Sequence, residues 1–182
     1  MTQLERNSWH VKDTAVASEL IELLGLSDAE KASLKALHGK AQELGPQMTQ
    51  EFYDRILSKE NTAQYMEGAD VERLRVSVSD WFSDLFAGDY GTDYAQKRIV
   101  IGKIHVKIGL PVRYPLAMLD VVQKYGELVT EGQSEDVKQA FRKVLALDIA
   151  IFNQAYEDNQ LHHLSELMGN ERLARRLLQG DL

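Results

Sequence analysis

Cysteine is absent from the 182 residues. Its absence excludes disulfides, thiolate metal ligands, iron–sulfur clusters and any thioether-linked macrocycle, and it fits a reducing compartment. Proline is scarce, with three residues, too few for a collagenous or proline-rich disordered chain. Excess basic charge is missing as well: 28 Asp and Glu outnumber 21 Lys and Arg, for a formal charge of −7. Nucleic-acid binding is therefore not expected, because it normally needs a cationic stripe that displaces counterions from the phosphates. Long apolar runs are lacking too. The opening MTQLERNSWH is polar with no apolar signal core, and LALDIAIF at 145–152 is short and interrupted by Asp148. No membrane segment is expected, and the location that follows is cytoplasmic.

What is present is helical periodicity. At this length one domain with roughly 70% of its unfolded surface buried is available, so an interior of useful size can form. The predicted fold class is all-α, with seven or eight helices and no sheet. Ser27 followed by Glu30 is a capping pattern, and Leu34, Leu37, Ala41 and Leu44 recur at helical spacing behind it. Pro46 is expected to bend or restart that helix. The continuation carries Met48, Phe52 and Ile56 on one stripe, with Tyr53 and Leu57 beside it.

A second helix is predicted over about 70–87, with Val71, Leu74, Val78, Trp81 and Leu85 inward and Gly88 as its stop. A third runs from the cap Thr92 to Gly109, Pro111 opens a fourth to about 130, and a long last helix follows Gly132 to Ser134. That last helix carries Val137, Phe141, Val144, Leu145, Asp148, Ile149, Phe152 and Tyr156. The amphipathic stretch 161–182, with Gly169 as a weak break, reads equally as a solvated tail or a coiled-coil-like linker. Residues 1–26 hold a separate amphipathic piece.

One residue calls for a chemical account. His105 projects from an apolar stripe, with Ile101 four positions before it, Gly102 three before and Ile108 three after. On spacing alone a histidine hydrogen-bonded in a core is the commoner outcome. Gly102, however, costs the helix about 1 kcal/mol relative to alanine, a cost often offset by close approach of a partner. A flat macrocycle whose metal is bound by the imidazole would be such a partner. The remaining histidines offer no zinc spacing. Across a pocket, Tyr53 could oppose His105 with a hydroxyl that needs a partner when buried, although a backbone carbonyl would serve it as well. Ser77 could act similarly, or bond back to its own helix.

The stretch WFSDLFAGDYGTDYAQKRIVIGKIHVKIGLPVRYPLAML resembles the sensor globins, the haem domains of globin-coupled sensors in a protoglobin-like family. The resemblance runs from about residue 27 to 160, and its histidine followed by IGLP is the specific element. It implies a globin fold with an extra N-terminal helix and an extended C-terminal helix. Position by position, it implies His105 as proximal iron ligand of a b-type haem (iron protoporphyrin IX) and Tyr53 as distal hydrogen-bond donor. Phe52, Ile56, Leu74 and Ser77 would line the distal side. Val78, Trp81, Ile101 and Ile108 would supply apolar walls, Gly102 the close approach, and Tyr114 a place near the proximal side. The function implied is gas sensing by O2, CO or NO, without enzymatic turnover. A homodimer through the last two core helices and a signalling output domain are the implied partners. A chain ending at Leu182 is expected to be a single-domain member or an excised sensor. A haem-free globin-fold partner module and a haem enzyme acting on NO are the competing readings.

Overall fold

The computed structural model describes residues 7–180. Positions 1–6 of the expected N-terminal extension and 181–182 of the C-terminal one lie outside that range. Among the described residues there is no strand, as predicted, and no helix is long and apolar enough to cross a membrane.

After a 3-10 turn at Asn7–His10 the chain forms α1 (Ala15–Leu24), α2 (Asp28–Lys35) and α3 (His38–Leu57). The pattern at Ser27 and Glu30 is a complete capping box: the Ser27 hydroxyl accepts from the Glu30 amide, and the Glu30 carboxylate accepts from the Ser27 amide at 2.7 Å. The expected interruption at Pro46 is not where the helix breaks. It breaks at Ala36 and Leu37, and Pro46 lies inside α3. Packing overrides the proline there: at Gly45 α3 crosses α5 so closely that a Cβ would sit 2.3 Å from the Ser79 hydroxyl oxygen.

A short α4 (Glu60–Ala63) and a 3-10 turn, Gln64–Met66, lead to α5 (Val71–Asp84). Then come α6 (Thr92–Lys107), α7 (Arg113–Ala117), α8 (Leu119–Val129), α9 (Glu135–Met168) and α10 (Glu171–Leu178). Gly109, at φ 71°, ends α6 in the left-handed conformation that glycine adopts without strain. The amide of Leu110 then returns to the His105 carbonyl at 3.0 Å. Gly169, at φ 63°, is a full stop rather than a weak break. Beyond it α10 folds back on α9 and on the N-terminal turn, through Ala174, a Lys12–Glu171 ion pair at 3.0 Å and Arg175 over the Trp9 ring. The stretch after 160 is thus a continuation of α9 plus a docked helix, not a solvated tail.

The core joins these elements around aromatic rings. Phe86 stacks on Phe141 at 5.2 Å and meets Phe82 edge to face, with Leu34, Met48, Leu85, Val121, Leu147 and Ile151 fully buried around them. Within this frame α3 packs on α5 and on α8, and α6 lies along α9. Helices α5 and α6 are tied at one end, where Arg98 bonds to Asp84 at 3.1 Å, yet share no extensive packing beyond it.

Candidate functional site

His105 lies on α6 with its Nδ1–H donating to the Ile101 carbonyl one turn back, at 2.7 Å. That bond fixes the ring orientation and leaves Nε2, which has no hydrogen bond to another described residue, as the atom with a free lone pair. Burial pushes the imidazole below its ordinary 6.5, only partly offset by the Ile101 bond, so the ring is neutral at physiological pH. Phe152 of α9 meets it edge to face at 5.3 Å. On the same surface of α6, Ile104 and Ile108 are 53% and 47% exposed, an apolar face beside the imidazole.

Tyr53 on α3 is only 4% exposed, and its hydroxyl donates to no other described residue. Burial pushes the phenol up to about 12, against an opposing pull from the Arg75 guanidinium. Phe52 meets it edge to face at 5.5 Å. A buried tyrosine without a protein acceptor has a donor to spare. Beside it, Ile56 on α3 and Leu74 and Val78 on α5 are half-buried.

The structure shows what four of the sequence-derived residues touch. Gly102 does not face a macrocycle: a Cβ there would lie 2.6 Å from the Ala155 Cβ and 2.9 Å from the Phe152 carbonyl oxygen. Its missing side chain admits α9, so the close approach inferred from the glycine is a helix crossing. Ser77 is exposed and its hydroxyl bonds back to the Arg73 carbonyl at 3.1 Å, the competing local bond that a mid-helix serine offers. Tyr114 is half-buried with its ring 6.3 Å from Tyr65, in the connection between α4 and α5. No ring contact or hydrogen bond joins it to α6 among the described residues. Trp81 is not purely an apolar wall, because its indole N–H donates to Asp148 at 3.0 Å.

Asp148 anchors a group that periodicity did not reveal. Its Oδ1 accepts from Arg98 Nε and from the Tyr94 hydroxyl, both at 2.6 Å, while the guanidinium lies 3.8 Å from the Tyr94 ring centre. The Arg98 and Asp148 side chains are 1% and 4% exposed. Two signals were in the sequence: an aspartate inside LALDIAIF and an arginine opening RIVIG. Either one alone reads as a surface residue.

A flat, apolar, iron-bearing macrocycle fits these residues. The arrangement offers an oriented neutral imidazole with one free nitrogen and an apolar face beside it on α6, and a buried hydroxyl with a donor to spare on α3. The class this fold and site define is the globin. The Protoglobin family profile matches residues 14–162, and the chain belongs to that family; α1 falls inside the match. The chain is 28% identical over 180 residues to the heme-based aerotactic transducer HemAT of Halobacterium salinarum, covering 89% of this chain and 37% of that protein. It thus spans little more than a third of that relative. The globin domain of the Geobacter sulfurreducens globin-coupled sensor superposes with a TM-score of 0.71 at 25% identity, over 76% of this chain and 96% of that domain.

Proposed function

We propose that this chain is a haem-based gas-sensing domain in which His105 holds the iron of a b-type haem and Tyr53 contacts the gas. The observation that carries the reading is the His105 Nδ1–Ile101 bond, which presents Nε2 as a ligand. Membership of the Protoglobin family and the likeness to a globin-coupled sensor support it. With no cysteine, attachment is non-covalent. When bound, haem supplies a ferrous iron with one position open to O2, CO or NO.

The protein's part is orientation and polarity. Ile101 and Phe152 hold the imidazole ring in one plane. Tyr53 keeps its proton throughout the physiological range, because burial raises its pKa to about 12. A neutral phenol donor favours O2, which takes up negative charge, over CO; at about 1–2 kcal/mol per bond this is roughly 5- to 30-fold in affinity. The domain acts by sensing rather than turnover and sits in the cytoplasm. The change at His105 passes through the Gly109 turn to α8 and α9, which pair with their copies in a homodimer and address a signalling output.

The test is an absorption spectrum. The purified chain is expected to carry a Soret band whose ferrous form shifts with air or CO. H105A loses the pigment or its ferrous spectrum, and added imidazole restores it. An H105A variant that retains haem with an unaltered ferrous spectrum refutes the ligand assignment.

A further inference from the structure

Above the Tyr53 ring sits a cation that the gas-sensing reading leaves without a task. Arg75, on α5 next to Leu74, places its guanidinium carbon 5.5 Å from the centre of that ring. The side chain is 19% exposed, and its Nε is out of water with no hydrogen bond. The nearest carboxylate to that nitrogen, Glu72 at 3.4 Å, is on an 87% exposed side chain and poorly aligned. A surface arginine free to choose would swing into solvent, because an unmatched buried donor is costly.

Something holds it in place. Arg75 Nη1 donates to Gln50 Oε1 at 2.7 Å, and the same amide's Nε2 donates to both Asp54 oxygens at 2.8 and 2.9 Å. Asp54 therefore fixes which end of Gln50 faces Arg75. Gln50 and Asp54 flank Tyr53 on α3, and the Gly45–Ser79 crossing brings α3 and α5 close enough for the arrangement to span them. Two polar side chains, Gln50 directly and Asp54 through it, thus keep one cation against one aromatic face.

We propose that Arg75 is a ligand-discriminating residue that acts through Tyr53: held by Gln50, its positive charge withdraws density from the phenol ring and strengthens the hydroxyl as a donor to dioxygen. The cation attracts the ring's electron-rich face, and a poorer oxygen lone pair makes a better O–H donor. Electrostatics between the two points the same way, since the guanidinium pulls the phenol's pKa down against the effect of burial. The inference rests on Tyr53 as the distal donor, and it assigns the strength of that donor to a residue that does not touch the gas.

A double-mutant cycle on the haem-loaded protein tests it, using wild type, Y53F, R75Q, R75K and Y53F/R75Q. O2 dissociation by stopped flow should be about 2- to 10-fold faster in R75Q, the span of a cation over a partly desolvated ring. R75K, which keeps the charge, should restore most of the difference. In the Y53F background R75Q should add nothing. An independent readout is the 13Cζ resonance of Tyr53 in the CO complex, identified by its loss in Y53F: it should move in R75Q and stay near its place in R75K. Unchanged dissociation in R75Q beside faster release in Y53F overturns this inference alone. So does an R75Q effect that persists in Y53F, or a Tyr53 resonance that R75Q leaves unmoved. Unchanged dissociation in Y53F overturns the distal role of Tyr53 and this inference with it.

Discussion

Asp148→Ala removes the acceptor on which three buried donors converge. Arg98 Nε and the Tyr94 hydroxyl each lie 2.6 Å from Oδ1, and the Trp81 indole lies 3.0 Å from Oδ2. What Arg98 keeps is Asp84 at 3.1 Å, on a 28% exposed side chain, and a weak bond to the Trp81 carbonyl. Breaking a buried ion pair by deleting one partner costs about 3–5 kcal/mol, because the other charge stays buried. Asp84 offsets part of this, while the orphaned Tyr94 and Trp81 donors add to it, so the loss stays inside that range. For a chain of this size about 2–4 °C of melting temperature corresponds to each kcal/mol, which gives a fall of roughly 6–20 °C by circular dichroism. The reverse change, Arg98→Met, should cost less: Asp148 retains two neutral donors, and the methionine fills the apolar part of the space. The double variant R98M/D148L should recover most of the loss, since well-packed apolar residues replace buried ion pairs at little cost. A D148A loss under about 1 kcal/mol, or R98M costing more than D148A, refutes the account of Asp148 as a shared acceptor.

Gly102→Ala should destabilise despite alanine's better helix propensity. The added methyl meets the Ala155 Cβ at 2.6 Å and the Phe152 carbonyl at 2.9 Å, and neither belongs to a side chain that can rotate away. Overpacking of about 3 kcal/mol outweighs the ~1 kcal/mol gained in propensity, and a melting temperature equal to or above wild type would contradict it. Glu30 predicts an acid limb of stability. Burial raises its carboxyl, but the bonds from Lys143 and from the Ser27 amide and hydroxyl outweigh burial and bring it below 4.5. A folded-state pKa below the unfolded one gives stability that is present above about 4.5 and lost as pH falls through the folded value. E30Q should therefore cost about 1 kcal/mol in urea at neutral pH and progressively less as pH falls below about 4.5; a cost that does not change with pH would rule out the carboxylate's role.

The sequence made the local decisions readable and concealed the pairings. Helical period, the cap at Ser27 and the stop at Gly109 depend on neighbours within a turn, and they appear in the structure where those neighbours stand. The histidine of IGKIHVKIGLP stood out because its motif is rare. Gly102 was correctly read as a point of close approach but given the wrong partner, because a missing side chain does not say what fills the space. Arg98 and Asp148 lie 50 positions apart, and nothing at either end names the other. Pro46 failed as a breaker because the α3–α5 crossing at Gly45 stabilises a continuous helix beyond what a single lost backbone bond costs. Arg75 was invisible for a related reason: on its own helix it is one more charged residue, and only the α3 side chains opposite give it a task.

Helix α9 grips α6 along most of its length, and this determines where a displacement of His105 can go. Asp148 holds Arg98, the Phe152 carbonyl and Ala155 close over Gly102, the Phe152 ring abuts His105, and the Tyr156 hydroxyl donates to the Leu110 carbonyl at 3.1 Å just past the helix end. These contacts fall on one face of α9 at successive turns. Helix α5 shares no extensive packing with α6. A pull on the imidazole away from α9 would be opposed mainly by these α9 contacts, with lesser ones to α1 and the Arg98–Asp84 tie. At Gly102 the two helices meet with no side chain of α6 between them, so no rotamer change there could absorb a movement of α6 relative to α9. The glycine that costs α6 local stability is what lets α6 meet α9, the longest helix of the fold, without an intervening side chain.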